Sequence, residues 1–285
     1  MRKYVLALPP MLLLTAAPAH AITGNFVDDF EHPFVGLVVF YDQNGDFSHR
    51  CSGSLLSPSV FLTAGHCVEG VSSARVYFQQ GAGANFDPVL GIDPVTGYPE
   101  QCFTSPCTTS DELYNFGYPA GFPNTKDVGL VILDQPINLP EYGKLAEAGA
   151  LNGFSNRKGQ QSLTLTPSGY GLTYTNPSRT VSFRERLMTT SKLQNLVSAL
   201  TDGFNMQSSN NFGIGGGTCF GDSGGPIFYG ASSSNTIVGV TSFGLSSNVC
   251  AGVDFSYRTD QTAVIDFILD NAPASERGLI QIVPL

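Results

Sequence analysis

Short apolar runs of β-branched and aromatic residues, separated by turn-forming residues, are the feature that most constrains how this chain folds. Gly, Pro, Asn and Ser lie between the runs, and the 285 residues include 32 Gly and 18 Pro. Such spacing is typical of antiparallel strands joined by tight turns, and it lacks the strand-helix alternation of a parallel sheet. We therefore predict an all-β fold. The runs are 34–40, 59–62, 75–78, 128–133, 162–165 and 237–241.

Two stretches have helical character. Residues 262–269 place four apolar side chains on one helical face, and Pro273 follows where a helix would end. Residues 183–200 have a weaker pattern, for which we also expect a helix. The segment at 81–126 has few apolar runs and is rich in Gly, Pro and Asn, which predicts a long surface excursion.

The first 21 residues have the order of a secretory signal peptide. Two basic residues precede an apolar run at 5–17, and Ala19-His20-Ala21 follows. A membrane anchor is the alternative, but the run contains two prolines and is shorter than the ~20 residues that span a bilayer. We therefore predict cleavage after Ala21, secretion to the extracellular space, and a mature chain that starts at Ile22.

The charge balance argues against nucleic acid and membrane partners. The chain has 14 Lys and Arg against 23 Asp and Glu, a formal net charge of −9, with no basic stripe. No later segment is long and apolar enough to span a bilayer. We expect a soluble monomer.

Six cysteines fit an oxidising compartment. They allow 15 pairings, among which pairing of chain neighbours is the most economical. A metal site is disfavoured because Cys-x-x-Cys and His-Glu-x-x-His spacings are both missing from the sequence, and we expect neither a metal nor another cofactor. The predicted disulfides are Cys51–Cys67, Cys102–Cys107 and Cys219–Cys250.

The segment Gly221-Asp222-Ser223-Gly224-Gly225-Pro226 offers a nucleophile flanked by glycines. It also satisfies the Gly-x-Ser-x-Gly pattern of α/β-hydrolases, but those enzymes carry their histidine after the serine. All four histidines of this chain precede Ser223, which excludes that fold. The orders His, Asp, Ser and Asp, His, Ser remain, and the second, found in subtilisins, requires helices that the β-rich pattern does not predict.

His66 is the candidate base. It follows a strand-like run in Leu62-Thr63-Ala64-Gly65-His66-Cys67, where a disulfide from Cys67 to Cys51 would restrict it. Closing that loop stabilises the fold by about 3 kcal/mol in the chain-entropy model. We interpret His32 and His49 as ordinary core or solvated residues.

Asp127 is the candidate carboxylate because it opens a strongly apolar strand, where a buried charge needs a partner. The three segments around His66, Asp127 and Ser223 resemble the His, Asp and Ser motifs of the chymotrypsin/trypsin-like serine protease family, and the similarity extends from Ile22 to about Leu269. The resemblance implies two antiparallel β-barrels with the active site in the cleft between them, plus a C-terminal helix. The implied division is a protease domain at 22–272 (first barrel about 22–135, second about 141–260, helix about 262–271) and a tail at 273–285.

The resemblance also implies roles for these residues. Ser223 attacks the substrate carbonyl, His66 transfers the proton, Asp127 orients the imidazole, and the backbone N–H groups of Gly221 and Ser223 form the oxyanion hole. The expected function is a secreted serine endopeptidase that acts through an acyl-enzyme, with proteins or peptides as substrates and protein inhibitors as further partners. The alternative is an inactive homologue that serves as a binding module.

The predicted mature start Ile22-Thr23-Gly24-Asn25 resembles the activated N-terminus of this family, whose ammonium pairs with the Asp beside the nucleophile. Asp222 holds that position here. Our hypothesis is that signal removal itself creates the activating terminus.

Substrate-binding residues follow from the same resemblance. Ser242-Phe243-Gly244 resembles the family's strand that pairs with the substrate backbone. Gly217, followed by Thr218, stands at the pocket base, where trypsin-like members carry Asp. Asp254 could attract a basic P1 side chain, or Phe255 could narrow the pocket, and the sequence leaves this choice open.

Overall fold

The computed structural model describes residues 22–82, 107–154, 163–176, 178–181, 185–211, 213–245 and 249–285, with backbone alone at 176 and 179–181. The predicted signal peptide, Cys102 and the middle of the 81–126 excursion lie outside the described residues.

Strands dominate the described residues. In the first half the elements are β1 (Thr23–Gly24), β2 (Val27–Asp28), β3 (Val35–Tyr41), β4 (Phe47–Leu55), β5 (Val60–Thr63), α1 (Gly65–Val68), β6 (Ser73–Tyr77), β7 (Cys107–Ser110), β8 (Glu112–Asn115) and β9 (Gly129–Ile132). In the second half they are β10 (Lys144–Ala146), a 3₁₀ helix (Asn152–Phe154), β11 (Thr164–Gly169), β12 (Tyr174–Asn176), β13 (Arg179–Val181), β14 (Leu187–Met188), β15 (Ser191–Asn195), β16 (Asn205–Asn210), β17 (Gly216–Gly217), β18 (Pro226–Tyr229), β19 (Thr236–Gly244), β20 (Gly252–Arg258), α2 (Thr262–Asn271) and β21 (Ile282–Val283).

The first barrel-like sheet is antiparallel throughout, in the order β7-β6-β3-β4-β5-β9-β8. The interior strand β3 is buried along its whole length, which is why its sequence is continuously apolar rather than alternating. β5 and β9 pair directly, and their ends carry the segments around His66 and Asp127 into one place.

The second sheet follows the order β2-β14-β11-β15-β16-β20-β19-β10-β21, with β18 paired to β11 and β19. Its pairs are antiparallel except those of β10 with β19 and β21. The N-terminal strands join this half of the molecule, since β2 pairs with β14 and β1 pairs with β17. The all-β prediction with two barrel-like sheets is confirmed.

The two helix predictions had opposite outcomes. Helix α2 spans Thr262–Asn271, buries Val264, Ile265 and Ile268, and ends before Pro273. The expected helix at 183–200 was wrong, since its described part contains β14 and β15. In β15 the buried residues alternate with partly exposed ones. In so short an apolar run, the sequence does not distinguish the helical period of about 3.6 residues from the strand period of about 2. Within the described ranges, no helix has the length and hydropathy needed to cross a membrane.

Candidate active site

His66 is held by constraints on both sides of it in the chain. It lies in α1, one turn after β5. A Cβ built on the preceding Gly65 would stand 2.8 Å from Cβ of Tyr118, so the backbone approaches that residue too closely for a side chain. On the other side, Cys67 is disulfide-bonded to Cys51 of β4.

Asp127 binds this histidine at two points. The backbone N–H of His66 donates to Oδ1 of Asp127 at 2.7 Å, and Nδ1 of His66 lies 2.9 Å from Oδ2. The hydroxyl of Ser242 donates to the same Oδ2 at 2.5 Å. An ionised carboxylate only accepts hydrogen bonds, so the Nδ1 atom of His66 carries a proton and, in the neutral ring, Nε2 is left as the base.

Ser223 and His66 line one open cavity of about 470 Å³. The His66 side chain is 26% exposed there, whereas that of Asp127 is 2% exposed. Within the described ranges, no hydrogen bond is found for the Ser223 hydroxyl. Contacts between nucleophile and base are often long without substrate and shorten when it binds.

The peptide planes around Ser223 leave two backbone donors available. The carbonyl of Phe220 accepts a 2.8 Å hydrogen bond from Leu172 N–H, and because a trans peptide directs C=O and N–H to opposite sides, this turns Gly221 N–H the other way. Gly221 has φ of +96°, a conformation that L side chains rarely adopt. In the described part of the chain, neither Gly221 N–H nor Ser223 N–H donates to a protein acceptor.

Asp222 points away from the cavity and is fully buried. Its oxygens accept hydrogen bonds of 2.8 Å from Gly171 N–H and Cys219 N–H. Burial raises the pKa of Asp222 to about 7, and the nearby charge of Asp254 adds to the rise, while the two backbone donors and the positive charge of Arg50 oppose it. Such a carboxylate would be stabilised by a buried cation.

Ile22 is also fully buried and packs with Leu187. The next residue, Thr23, pairs with Gly217, so the predicted mature start lies directly beside the Gly217-Thr218 segment of the expected substrate pocket. Over the described residues, Ile22 and Asp222 are joined by neither a hydrogen bond nor an ion pair, and in this chain the Ile22 nitrogen is a peptide amide.

Asp254 lies at the base of the same cavity and is 6% exposed. Its oxygens accept hydrogen bonds from Thr218 N–H at 2.6 Å and from the Asn210 amide at 2.8 Å. A Cβ on Gly217 would stand 2.4 Å from Oδ2 of Asp254, so the missing side chain makes room for this carboxylate. Burial raises the pKa of Asp254 to about 6, against the opposing effect of both donors. Phe255 is buried instead against Phe243.

Asn210 is a residue that our sequence interpretation missed. Its Nδ2 also donates to Thr218 C=O at 2.9 Å, and its Oδ1 accepts from the Thr23 hydroxyl at 2.7 Å. It therefore connects the N-terminal segment to the pocket base. The sequence of β16 does not indicate this role. Asn210 comes near the pocket because β16 pairs with β20, with Ser208 opposite Asp254.

The cleft wall is the end of β19. After Thr241, β20 is the one described strand that pairs with β19, and Gly244 lies opposite Asp254 in that pairing. The other edge of β19 is therefore not paired with a described strand there. The ring of Phe243 stacks on Phe255 with centroids 4.6 Å apart and faces Phe122 at 5.0 Å. Beside it, a second cavity of about 280 Å³ is lined by His66, Tyr118, Pro119, Phe122 and Phe243, among others.

The cysteines are used in disulfides. The structure joins Cys51 to Cys67 and Cys219 to Cys250, and Cys107 is also disulfide-bonded, while its expected partner Cys102 lies outside the described residues. Ligand atoms of Cys51, Cys67 and His66 lie within 4.8 Å of one another. Because both sulfurs are in the disulfide, they cannot serve as thiolate ligands.

A family model described as Trypsin matches residues 22–268. Brachyurin of Leptuca pugilator is 28% identical over 229 residues, which cover 78% of this chain and 88% of brachyurin. Ovochymase of Halocynthia roretzi is 26% identical over 257 residues, which cover 84% of this chain but 15% of that relative, so this chain spans a small part of it.

Two solved structures share the fold. HL collagenase superposes with a TM-score of 0.63 at 20% identity, covering 87% of this chain and 96% of that one. A scabies mite inactivated protease paralogue superposes with a TM-score of 0.59 at 17% identity, covering 88% and 99%. These likenesses concern the fold alone, whereas the family model covers most of the sequence and includes all three candidate motifs. The chain therefore belongs to the trypsin family.

Proposed function

We propose that this chain is a secreted serine endopeptidase that hydrolyses peptide bonds through His66, Asp127 and Ser223. The observation that carries the proposal is the contact of 2.9 Å between His66 Nδ1 and Asp127 Oδ2, made by a histidine that lines one cavity with Ser223. The buried carboxylate holds the ring with its Nε2 available for proton transfer.

In the proposed reaction, Ser223 Oγ attacks the carbonyl carbon while His66 Nε2 takes the hydroxyl proton. The same proton passes to the leaving amine as the C–N bond breaks and an acyl-enzyme forms. Water then repeats the two steps, which releases the acid and restores Ser223. Asp127 stabilises the imidazolium that exists between the proton transfers.

The oxyanion that develops on the carbonyl is assigned to the N–H groups of Gly221 and Ser223. Support comes from their lack of described acceptors and from the peptide orientation that Leu172 imposes on Phe220. Donors that are already oriented stabilise the developing charge without further reorganisation.

For substrate selection, we assign the P1 side chain to the cavity that ends at Asp254, and we expect a basic residue there. The substrate backbone would pair with Ser242, Phe243 and Gly244 as an added strand. Thr218 lines this cavity, and the absence of a side chain at Gly217 leaves room for the carboxylate. Because the pKa of Asp254 is about 6, its charge, and with it the preference for Arg or Lys, increases as the pH rises through 6.

Peptide-library cleavage by the wild type and Ser223→Ala tests the activity. We expect cleavage by the wild type only; equal hydrolysis by both would contradict the proposal and favour an inactive homologue. For the pocket, the measurement is the ratio of kcat/KM for Arg and Phe at P1, in which the pH dependence of the chemical steps that both substrates share cancels. This ratio should rise between pH 5 and about 7, and Asp254→Asn should abolish the rise.

We further propose that cleavage after Ala21 creates an Ile22 ammonium that pairs with Asp222. The proposal is supported by the burial of both residues and by the raised pKa of Asp222 while Ile22 is an amide. Pairing would raise the pKa of the ammonium above that of a free chain terminus, about 7.7–8.0. While Asp222 is ionised, the stabilising contribution of the pair is complete below that value and is lost as the pH rises through the folded-state pKa.

N-terminal sequencing of active enzyme tests this activation step. A start at Ile22 is expected, and a start elsewhere in fully active enzyme would contradict it. An otherwise identical chain with one extra residue before Ile22 is the matched control, and it should fold but show reduced kcat/KM.

A further inference from the structure

The two candidate oxyanion donors depend on how the turn 220–223 is held. Gly221 separates two peptide planes, and the Phe220 plane is fixed by Leu172 N–H, as described above. The second plane carries the Gly221 carbonyl. That plane lies between the planes that carry the N–H groups of Gly221 and Ser223, so its rotation changes ψ of Gly221 and φ of Asp222, and thereby the orientation of the two donors relative to each other.

Ser52, in β4 of the first barrel, contacts this turn with both its backbone and its side chain. Its hydroxyl donates to Gly221 C=O at 2.8 Å and accepts from Tyr170 N–H at 2.9 Å. Its backbone N–H donates to Ser223 C=O at 2.8 Å. Ser52 is fully buried, and the Thr63 hydroxyl donates to its carbonyl at 2.8 Å.

We propose that the Ser52 hydroxyl is a positioning residue for the oxyanion hole, an inference that rests on the proposed function. The hydroxyl bridges the Gly221 carbonyl in the turn 220–223 and the N–H of Tyr170, which directly follows β11. Hydrogen bonds linked in a chain of this kind strengthen one another. Without the hydroxyl, Gly221 C=O and Tyr170 N–H lose their shared partner. The peptide plane between the two donors then gains freedom to rotate, and the N–H groups of Gly221 and Ser223 no longer keep a fixed orientation relative to each other at the developing oxyanion.

The expected consequence is specific to the transition state. Ser52 is not among the residues that line the specificity cavity, so ground-state binding has no reason to change. Loss of a whole oxyanion donor lowers kcat by about 10²–10³-fold. For a donor that is misaligned rather than removed, we expect a loss of about 10- to 100-fold.

Ser54 supplies a matched control. It lies two residues along the same strand, therefore on the same face as Ser52, and is also fully buried. Among the residues that the structure describes, its hydroxyl has no hydrogen-bond partner. Ser54→Ala removes the same atom from the same strand without touching the turn.

The experiment compares wild type, Ser52→Ala, Ser52→Gly, Ser54→Ala and Ser223→Ala in the mature protein. Measurements are kcat and KM on one cleaved peptide, and affinities for a peptide boronic acid, which forms a tetrahedral adduct, and for the same peptide as an uncleaved amide. In Ser52→Ala we expect kcat and boronate affinity to fall together by about 10- to 100-fold, while KM and amide affinity stay within about twofold. Ser54→Ala should match the wild type.

Each outcome decides the question. A wild type no faster than Ser223→Ala overturns the proposed function itself. An active wild type with unchanged kcat in Ser52→Ala and Ser52→Gly overturns only the role of Ser52. Equal loss of boronate and amide affinity, or failure of both Ser52 variants to fold, assigns the hydroxyl to general structure and also overturns it.

Discussion

The molecule contains two His–Asp pairs of almost the same local design. In each, a carboxylate contacts Nδ1 of a histidine and receives a serine hydroxyl at 2.5 Å: Asp127 with His66 and Ser242, and Asp29 with His32 and Ser168. The Nδ1 distances are 2.9 and 2.8 Å. Contact geometry at Nδ1 therefore does not distinguish a candidate catalytic pair from a structural one.

What differs is the far side of the ring. His66 is 26% exposed and faces the cavity that Ser223 lines. His32 is fully buried, with Nε2 3.2 Å from Ser234 C=O and its ring stacked on Phe228 at 4.0 Å. Both ring nitrogens of His32 therefore lie against oxygen acceptors, the Asp29 carboxylate and the Ser234 carbonyl. The His66 ring therefore faces an open cavity, whereas the His32 ring is enclosed in the fold.

The largest expected contrast comes from the carboxylates. Asp127→Asn should lower kcat/KM by about 10⁴-fold, the loss that this replacement causes in triads of the same kind, because the amide stabilises the wrong tautomer of His66. Asp29→Asn should keep wild-type kcat/KM per folded molecule. Steady-state kinetics with the folded fraction measured by circular dichroism checks both. Equal losses would show that the two pairs are not functionally separate.

The effect on the free energy of unfolding should be larger at His32 than at His66, the reverse of the effect on activity. His32→Leu leaves the Asp29 charge buried without its ring partner, and we expect a loss of about 3–5 kcal/mol in the free energy of unfolding. His66→Leu should lose less, since water from the open cavity can reach Asp127. Urea unfolding of both variants, each also carrying Ser223→Ala to prevent autolysis, measures the difference. A larger loss in His66→Leu would contradict this assignment.

The pH dependence sharpens the comparison further. Burial alone would raise the pKa of Asp29, but the hydrogen bond and charge of His32, together with Ser168 and Arg186, hold it below the usual 3.8. A lowered carboxyl pKa contributes stability that is present above 3.8 and lost as the pH falls through the folded value. The unfolding free-energy difference between wild type and Asp29→Asn should therefore shrink below pH 4. A constant difference would contradict an ionised Asp29.

The smallest expected effect concerns the ring beneath His32. Phe228→Leu removes the stacked contact and leaves a small cavity, and we expect a loss of about 1–2 kcal/mol without change in kcat/KM. Phe61→Leu is the control, a buried ring on the first sheet that does not touch His32. If the two variants show the same pH dependence of stability, the stacking has no influence on the His32 pair.

Much of the fold was predictable because it depends on local patterns. The apolar runs predicted strands, and the spacing in 262–269 predicted α2. The same kind of inference failed at 183–200, where β14 and β15 are strands because β11 and β16 are available as partners. The sequence predicts an ordinary core or solvated residue at His32, and nothing in it indicates the buried pair with Asp29.

The order of His, Asp and Ser along the chain is a property of the sequence, and by itself it excluded an α/β-hydrolase and directed attention to His66, Asp127 and Ser223. The tertiary structure decided which histidine faces the cavity that Ser223 lines, that the carboxylate of Asp254 lines the same cavity, and that the Ser52 hydroxyl hydrogen-bonds to the turn beside Ser223. The physical reason is that these contacts arise from register between strands distant in the chain, such as Gly244 opposite Asp254, and a register shift of one residue would turn each side chain to the other face.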